Sequence, residues 1–192
     1  MMVGQNNHSH ETVNRIPRGT VGAEIGVWKG DSSKKFLTTN PEELHLVDAW
    51  SLDVWYDDLP EAKQKEVLEK YSKSLGINKT REAYQKYYDG IYESVVKRFS
   101  NDENIIIHRM DSKEWFMTTD VKLDWIYVDG DHSYNGCLRD LNLSLGVVKP
   151  GGIIFGDDYG NKVEVKKAVD DFIFERNLTL EVFAKNQFQI NL

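Results

Sequence analysis

The sequence predicts a single α/β domain, and three observations carry that expectation. Apolar runs of strand length alternate with segments of helical periodicity, and the stretch Val21–Ser33 passes from strand alternation through a glycine turn into helix-capping side chains. The C-terminus closes with two short runs joined by a turn. At 192 residues the chain is long enough to bury a sizeable core, and no shift of composition, internal repeat or low-complexity tract marks a second domain.

Residues 1–18 are polar and read as an irregular arm or short helix; His8 and His10 belong to that arm rather than to a metal site. In VGAEIGVWKGDSS, Val21, Ala23, Ile25 and Val27 alternate with Gly22, Glu24 and Gly26, which predicts a first strand. Asp31, Ser32 and Ser33 then offer N-cap side chains ahead of Phe36 and Leu37. Gly26 and Gly30 allow a sharp turn and close approach to a ligand, with the helix N-terminus facing it. The turn is no P-loop, because Gly30 is followed by Asp31 rather than Lys, and it lacks the three glycines of a dinucleotide fingerprint.

The pattern Glu24-x-Gly26-x-x-x-Gly30 resembles motif I of the class I S-adenosylmethionine-dependent methyltransferases. That resemblance implies that Glu24 lies near the methionine end of the cofactor and that Gly26, Gly30 and Ser32 border it. LHLVDAW, Leu44–Trp50, reads as a second buried strand with Asp48 at its end. Asp48 follows Gly26 by 22 positions, the interval at which an acidic residue of a βαβ unit accepts hydrogen bonds from a ribose; the alternative is a loop cap.

Residues 51–83 are too long for a plain strand-to-helix connection. They carry Trp55, Tyr56, Asp57 and Asp58 and a weakly amphipathic helix over Glu61–Tyr71, and read as a lid or substrate-recognition insertion, or else as a partner-binding surface. Tyr84, Tyr87, Tyr88, Ile91, Tyr92, Val95, Val96 and Phe99 recur at helical spacing, first of all as core packing. NIIIHRM, Asn104–Met110, is the third strand. Asp111 and Ser112 follow it; with Glu114, Asp111 fits a capping box, whereas the resemblance implies an adenine contact for both.

LDWIYVDGDH, Leu123–His132, is the fourth strand running into Asp129, Asp131 and His132, and Tyr134, Cys137, Leu138, Leu141 and Leu145 mark the next helix. VKPGGIIFGDDYG, Val148–Gly160, is the fifth strand, opened by a Pro150-Gly151-Gly152 turn and closed by Asp157 and Asp158. Val165, Ala168, Val169, Phe172 and Ile173 make the last helix. Thr179–Ala184 and Gln187–Leu192, joined by Lys185-Asn186, read as a β-hairpin. This order resembles the Rossmann-like methyltransferase fold. It implies a seven-stranded, mostly parallel sheet, helices on both faces, and a last strand that is antiparallel and inserted beside the fifth.

If the fourth and fifth strands are neighbours, about 4.8 Å apart, then Asp129, Asp157 and Asp158 crowd one spot and repel unless a cation offsets them. An all-carboxylate set suits a hard divalent ion, Mg²⁺ before zinc. The arrangement resembles the metal-dependent O-methyltransferases, in which an Asp after the fourth strand and an acidic pair after the fifth hold the metal. His132 stands where the sugar and macrolide O-methyltransferases of this type carry a histidine. The resemblance thus implies S-adenosylmethionine as cofactor and a hydroxylated small molecule, such as a sugar or glycosylated metabolite, as acceptor. It also implies His132 and Asp129 as catalytic groups; an imidazole titrating near neutrality can take a hydroxyl proton.

The formal net charge of −7 and pI of about 5.3 disfavour nucleic acid and anionic membranes as partners and favour a small substrate; a homo-oligomer is compatible with the sequence. No apolar run is long enough for a membrane span and the first 20 residues lack a signal-peptide core, so a cytoplasmic protein is expected. The single cysteine, Cys137, excludes an internal disulfide and a multi-Cys metal site. Two other readings of the same elements are an NAD-dependent oxidoreductase and a non-catalytic cofactor-binding or interaction protein; nucleotide titration separates the first, and the retained carboxylates and His132 argue against the second.

Overall fold

The computed structural model describes residues 9–56 and 59–192. His8, Asp57 and Asp58 lie outside the described residues, as do the side chains of His10 and Trp55. The first half runs α1 (Ser9–Val13), β1 (Val21–Ile25), α2 (Asp31–Phe36) with a 3₁₀ turn Leu37–Thr39, then β2 (Glu43–Asp48), α3 (Asp53–Tyr56), α4 (Glu61–Leu75) and α5 (Arg81–Arg98). The second half runs β3 (Ile105–Arg109), α6 (Ser112–Thr118), β4 (Leu123–Val128), α7 (Tyr134–Val147), β5 (Val148–Gly156), α8 (Val163–Arg176), β6 (Leu180–Phe183) and β7 (Gln187–Asn191).

The strands form one sheet in the order β3-β2-β1-β4-β5-β7-β6. The pairs among β1 to β5 are parallel, and β7 is antiparallel to both β5 and β6, as expected for an inserted last strand. Parallel strands covered by helices are apolar on both faces. On one face Ala23, Ile25, Ile126, Val128 and Ile154 pack with Trp115, Leu141 and Phe172 of α6, α7 and α8. On the other, Leu44, Leu46, Trp125, Tyr127 and Phe155 pack with Phe36 of α2 and Ile91, Val95 and Phe99 around α5. Cys137 is buried in the first layer, where burial pushes its thiol up to about 12 and makes it an inert packing group.

Several local expectations are corrected. The Asp31-Ser32-Ser33 side chains do not cap α2: its N-cap is Gly30, left-handed at φ 73°, and Asp31 instead pairs with Arg98 at 2.8 Å. The second strand stops at Asp48 rather than Trp50, because Trp50 itself turns left-handed at φ 41°. Pro150-Gly151-Gly152 is not a turn before β5 but a bulge inside it: Leu123 faces Val148 and Trp125 faces Ile153, so the intervening residues leave the ladder where proline has no N–H to give. The hairpin turn begins one residue early, with Ala184 and Lys185 both at positive φ. In α5, Val96 is exposed, whereas Tyr84, Ile91, Val95 and Phe99 are buried as read.

Two packing details have measurable consequences. Gly22 lies opposite Trp125, and a Cβ there would stand 2.1 Å from the indole ring. Gly22→Ala should therefore destabilise the fold by about 1–3 kcal/mol, the usual cost of overpacking, read as a lower urea midpoint with unchanged slope. On the α6 face His45 Nδ1 and His108 Nε2 meet at 2.9 Å, stacked on each other beside Trp115, with Glu43 3.3 Å from His45 Nε2. Burial lowers both imidazoles below their ordinary value, so the unfolded chain takes up protons that the folded pair refuses. Stability should then fall as the pH drops below ~6.5, and fall less steeply in His108→Gln; urea midpoints between neutral and mildly acid pH test this.

Candidate active site

The carboxyl ends of the parallel strands open into a cavity of about 720 Å³. Its floor comes from the ends of β1, β2 and β4, with Gly26, Asp48 and Asp129 in the lining. Its far wall comes from α3 to α5, with Val54, Leu75, Tyr84, Tyr87 and Tyr88. The segment between β2 and α5 packs on itself through Leu52, Tyr56 and Tyr84, joined by Val67, Leu68, Leu75 and Ile77. Part of the α5 aromatic stripe thus faces the cavity rather than the core.

Asp48 is the most constrained residue of the floor. Its Oδ2 accepts from the backbone N–H of Trp28 at 2.8 Å and its Oδ1 from that of Trp50 at 2.7 Å; Trp50 Nε1 closes the loop on the Trp28 carbonyl at 2.8 Å. Both tryptophans are left-handed, φ 47° and 41°, a conformation that costs a non-glycine residue energy and persists where surrounding bonds hold it. Burial raises the Asp48 pKa, and the backbone donors oppose that rise. Trp28 stays half exposed in the lining, and its signal in the sequence is an aromatic placed inside a glycine turn.

Gly26, at φ 89°, lies so close to the end of β4 that a Cβ would stand 2.1 Å from the Asp129 carbonyl oxygen. Gly30 is left-handed and packs on Phe99. Glu24 is buried at 1% exposure, accepts a hydrogen bond from the Ser33 hydroxyl and is raised well above the usual carboxylate range, chiefly by burial. Neither Glu24, Gly30 nor Ser32 lines the cavity.

Asp129, His132 and Asp158 come together, with one ligand atom of each within 4.8 Å of the others. His132 Nε2 is 3.3 Å from Asp129 Oδ1 and 2.9 Å from Asp158 Oδ2. These two carboxylates push the imidazole up to about 10, while burial pushes Asp129 up to about 6. Asp158 holds φ 67° in the turn after β5. Asp157, expected in the same set, is turned elsewhere: its Oδ1 accepts from the Asp158 N–H at 2.7 Å and its Oδ2 from the Tyr127 hydroxyl at 3.3 Å. A chain of polar groups continues behind it, Gln187 donating to Tyr127 at 3.0 Å and Thr12 to Gln187 at 2.8 Å, so α1 is tied to the back of the site.

Asp111 and Ser112 line the cavity from the start of α6. Asp111 caps that helix by accepting from Lys113 N–H at 2.9 Å. Ser112 donates to the buried Asp140 at 2.9 Å and accepts from Arg139 at 2.9 Å, and Arg139 adds a cation to the lining that no sequence pattern marked. Asp131 is structural in its bonds: it accepts from the Ser133 N–H and hydroxyl at 2.8 and 2.9 Å, which sets the Ser133 cap on α7. No helix among the described residues is long and apolar enough to cross a membrane.

A doubly wound sheet with a cavity at its carboxyl edge, floored by a glycine turn and an acidic strand end, is the architecture of a nucleotide-cofactor enzyme. Residues 23–159 match the methyltransferase-domain family Methyltransf_24, and the chain belongs to that family. Among solved structures, a methyltransferase of Streptococcus mutans in complex with SAH superposes with TM-score 0.62 over 99% of both chains at 11% identity. An rRNA methylase of Streptococcus thermophilus superposes with TM-score 0.58 at 11% identity, covering 100% of this chain and 97% of its own. The N-methyltransferase NodS of Bradyrhizobium japonicum gives 0.56 at 14% identity, over 95% and 92%. No curated protein matches the chain. The seven-stranded Rossmann-like methyltransferase fold read from the sequence is the fold observed.

Proposed function

We propose that the chain transfers a methyl group from S-adenosylmethionine to a hydroxyl of a hydroxylated small molecule such as a sugar or glycosylated metabolite. The observation that carries this reading is the meeting, at one cavity, of the Gly26 turn, the Asp48 cradle and the Asp129–His132 pair, with Asp158 behind His132. In the reaction the acceptor oxygen attacks the sulfonium methyl in line; the C–O bond forms as the C–S bond breaks, and the hydroxyl proton passes to a base. The net charge of −7 and a cavity of about 720 Å³ support a small acceptor rather than a polyanion. A chain of this kind works in the cytoplasm, where its cofactor is found.

In this reading the free lone pairs of Asp48 accept both ribose hydroxyls, Asp111 and Ser112 approach the adenine, and Gly26 lets the cofactor lie close to the backbone. Glu24, bonded to Ser33 beneath the turn, acts by holding the Gly26–Gly30 backbone in place. The insertion over 51–83 walls the acceptor side. Asp48→Ala should weaken S-adenosylhomocysteine binding by roughly 1.5–3 kcal/mol, the range for hydrogen bonds to a charged group, and unchanged affinity in calorimetry would remove Asp48 from the site.

Asp129 and Asp158 are the carboxylates that would hold a divalent cation, and the donors fit: one oxygen of each lies within 4.8 Å of the other, which leaves the imidazole of His132 outside the ligand set in this reading. Such a cation, Mg²⁺ or another hard divalent ion, would supply Lewis acidity that lowers the acceptor hydroxyl pKa when bound. His132, which lines the cavity with Asp129, is placed to be the base, and its carboxylate partners strengthen its hold on a proton. Only the unprotonated ring can act, so activity should rise with pH through the titration of the imidazole and level off once the ring is neutral. His132→Ala should lower kcat roughly 10²–10⁴-fold with cofactor affinity unchanged. Chelator should abolish turnover on a panel of hydroxylated metabolites and Mg²⁺ restore it. Full activity of a metal-free preparation sinks the cation, and near-normal kcat in a folded His132→Ala protein sinks the base.

A further inference from the structure

Outside the cavity, a second concavity of about 500 Å³ runs between the motif turn and α5. Lys86, Gly90, Ser94 and Arg98 of α5 recur every fourth residue and so fall along one face, and all are in its lining. The small pair forms the floor: a Cβ on Gly90 would meet no atom within 4 Å, although glycine inside a helix costs about 1 kcal/mol against alanine. Lys29 closes the other side, its ammonium 5.0 Å above the Trp28 ring.

The charge of the groove opposes that of the molecule. Arg98 is occupied with Asp31 at 2.8 Å and with the Lys29 carbonyl at 2.7 Å, which offsets one cation with the only acid of the lining. Lys29 and Lys86 have no carboxylate partner among the described residues, so the lining keeps two cations without an acid on a chain of net charge −7. Tyr87 lines both this groove and the cofactor-side cavity, and Trp28 and Lys29 are neighbours split between them. The two concavities therefore share Tyr87 as a wall.

We propose that this groove binds the phosphate group of a phosphorylated small molecule, the methyl acceptor of the reaction above; the proposal rests on that reading for the acceptor's role, whereas the anion site stands on its own residues. A phosphate group offers oxygens to the two lysines of the lining, whose ammonium groups act on them as point charges.

Inorganic pyrophosphate titrated into the full chain by calorimetry is the direct probe, in low and moderate salt. Binding is expected to weaken with salt, to weaken at least about fivefold in Lys29→Gln and in Lys86→Gln, and to vanish in Gly90→Leu, whose side chain fills the groove. Gly90→Leu should keep or raise the melting temperature, because helix propensity improves where nothing is struck, so a lost fold does not mimic lost binding. S-adenosylhomocysteine is titrated into the same samples. Its retained binding in the three variants separates the groove from the cofactor site, and its failure to bind the parent chain defeats the methyltransferase reading without touching the pyrophosphate result. No pyrophosphate binding by the parent, or equal binding in all three variants, overturns the proposal.

Discussion

The site depends on one backbone approach, that of Gly26 to the carbonyl of Asp129. A Cβ at position 26 would stand 2.1 Å from that oxygen, so only glycine lets the turn after β1 nest against the end of β4. The ladder bonds on either side, Gly26 N–H to Val47 and Asp129 N–H to Ile25, both 2.9 Å, hold three strand ends in register there. Asp48, bonded to the turn through the Trp28 N–H, and Asp129 with His132 are consequently parts of one floor. The helices that follow inherit their positions from it: Gly30 ends the turn by packing on Phe99, and Ser133 caps α7 through Asp131.

That floor concentrates acid. Glu24, Asp48 and Asp129 are all raised by burial, and each is further opposed or supported by specific bonds rather than by bulk water. Desolvated carboxylates at one edge repel each other, and the protein answers with two different devices. Glu24 is withdrawn behind the strand and given the Ser33 hydroxyl; Asp129 is given His132, which Asp158 also grips.

The sequence made most of this legible because its signals are local. Strand alternation, helical stripes and the placement of glycine fix which residues face each layer, and the interval from Gly26 to Asp48 follows from one strand–helix–strand unit. What it hid were consequences of side-chain direction. Asp157 and Asp158 are adjacent, so periodicity alone could not say which turns to the cluster; the left-handed backbone at Asp158 and the Tyr127 hydroxyl decide it. Arg139 was invisible because its role comes from α7 docking beside Ser112, a tertiary contact with no spacing of its own. The Pro150-Gly151-Gly152 tract reads as a turn by composition, and only the pairing of Trp125 with Ile153 makes it a bulge.

The insertion between β2 and α5 is where, in the proposed reading, the sheet would acquire selectivity. Its apolar contacts gather into a small cluster around Leu52, Tyr56 and Tyr84, separate from the two layers that cover the sheet. Tyr84 and its neighbours Tyr87 and Tyr88 belong to a helix whose later turns, Ile91 and Val95, are anchored in the sheet core. One helix therefore carries both the anchor and part of the cavity wall. Changes of residue within 51–83 can reshape that wall at little cost to the sheet, because the stability of the core is supplied elsewhere, and the floor that handles the cofactor stays where Gly26 and Asp129 put it.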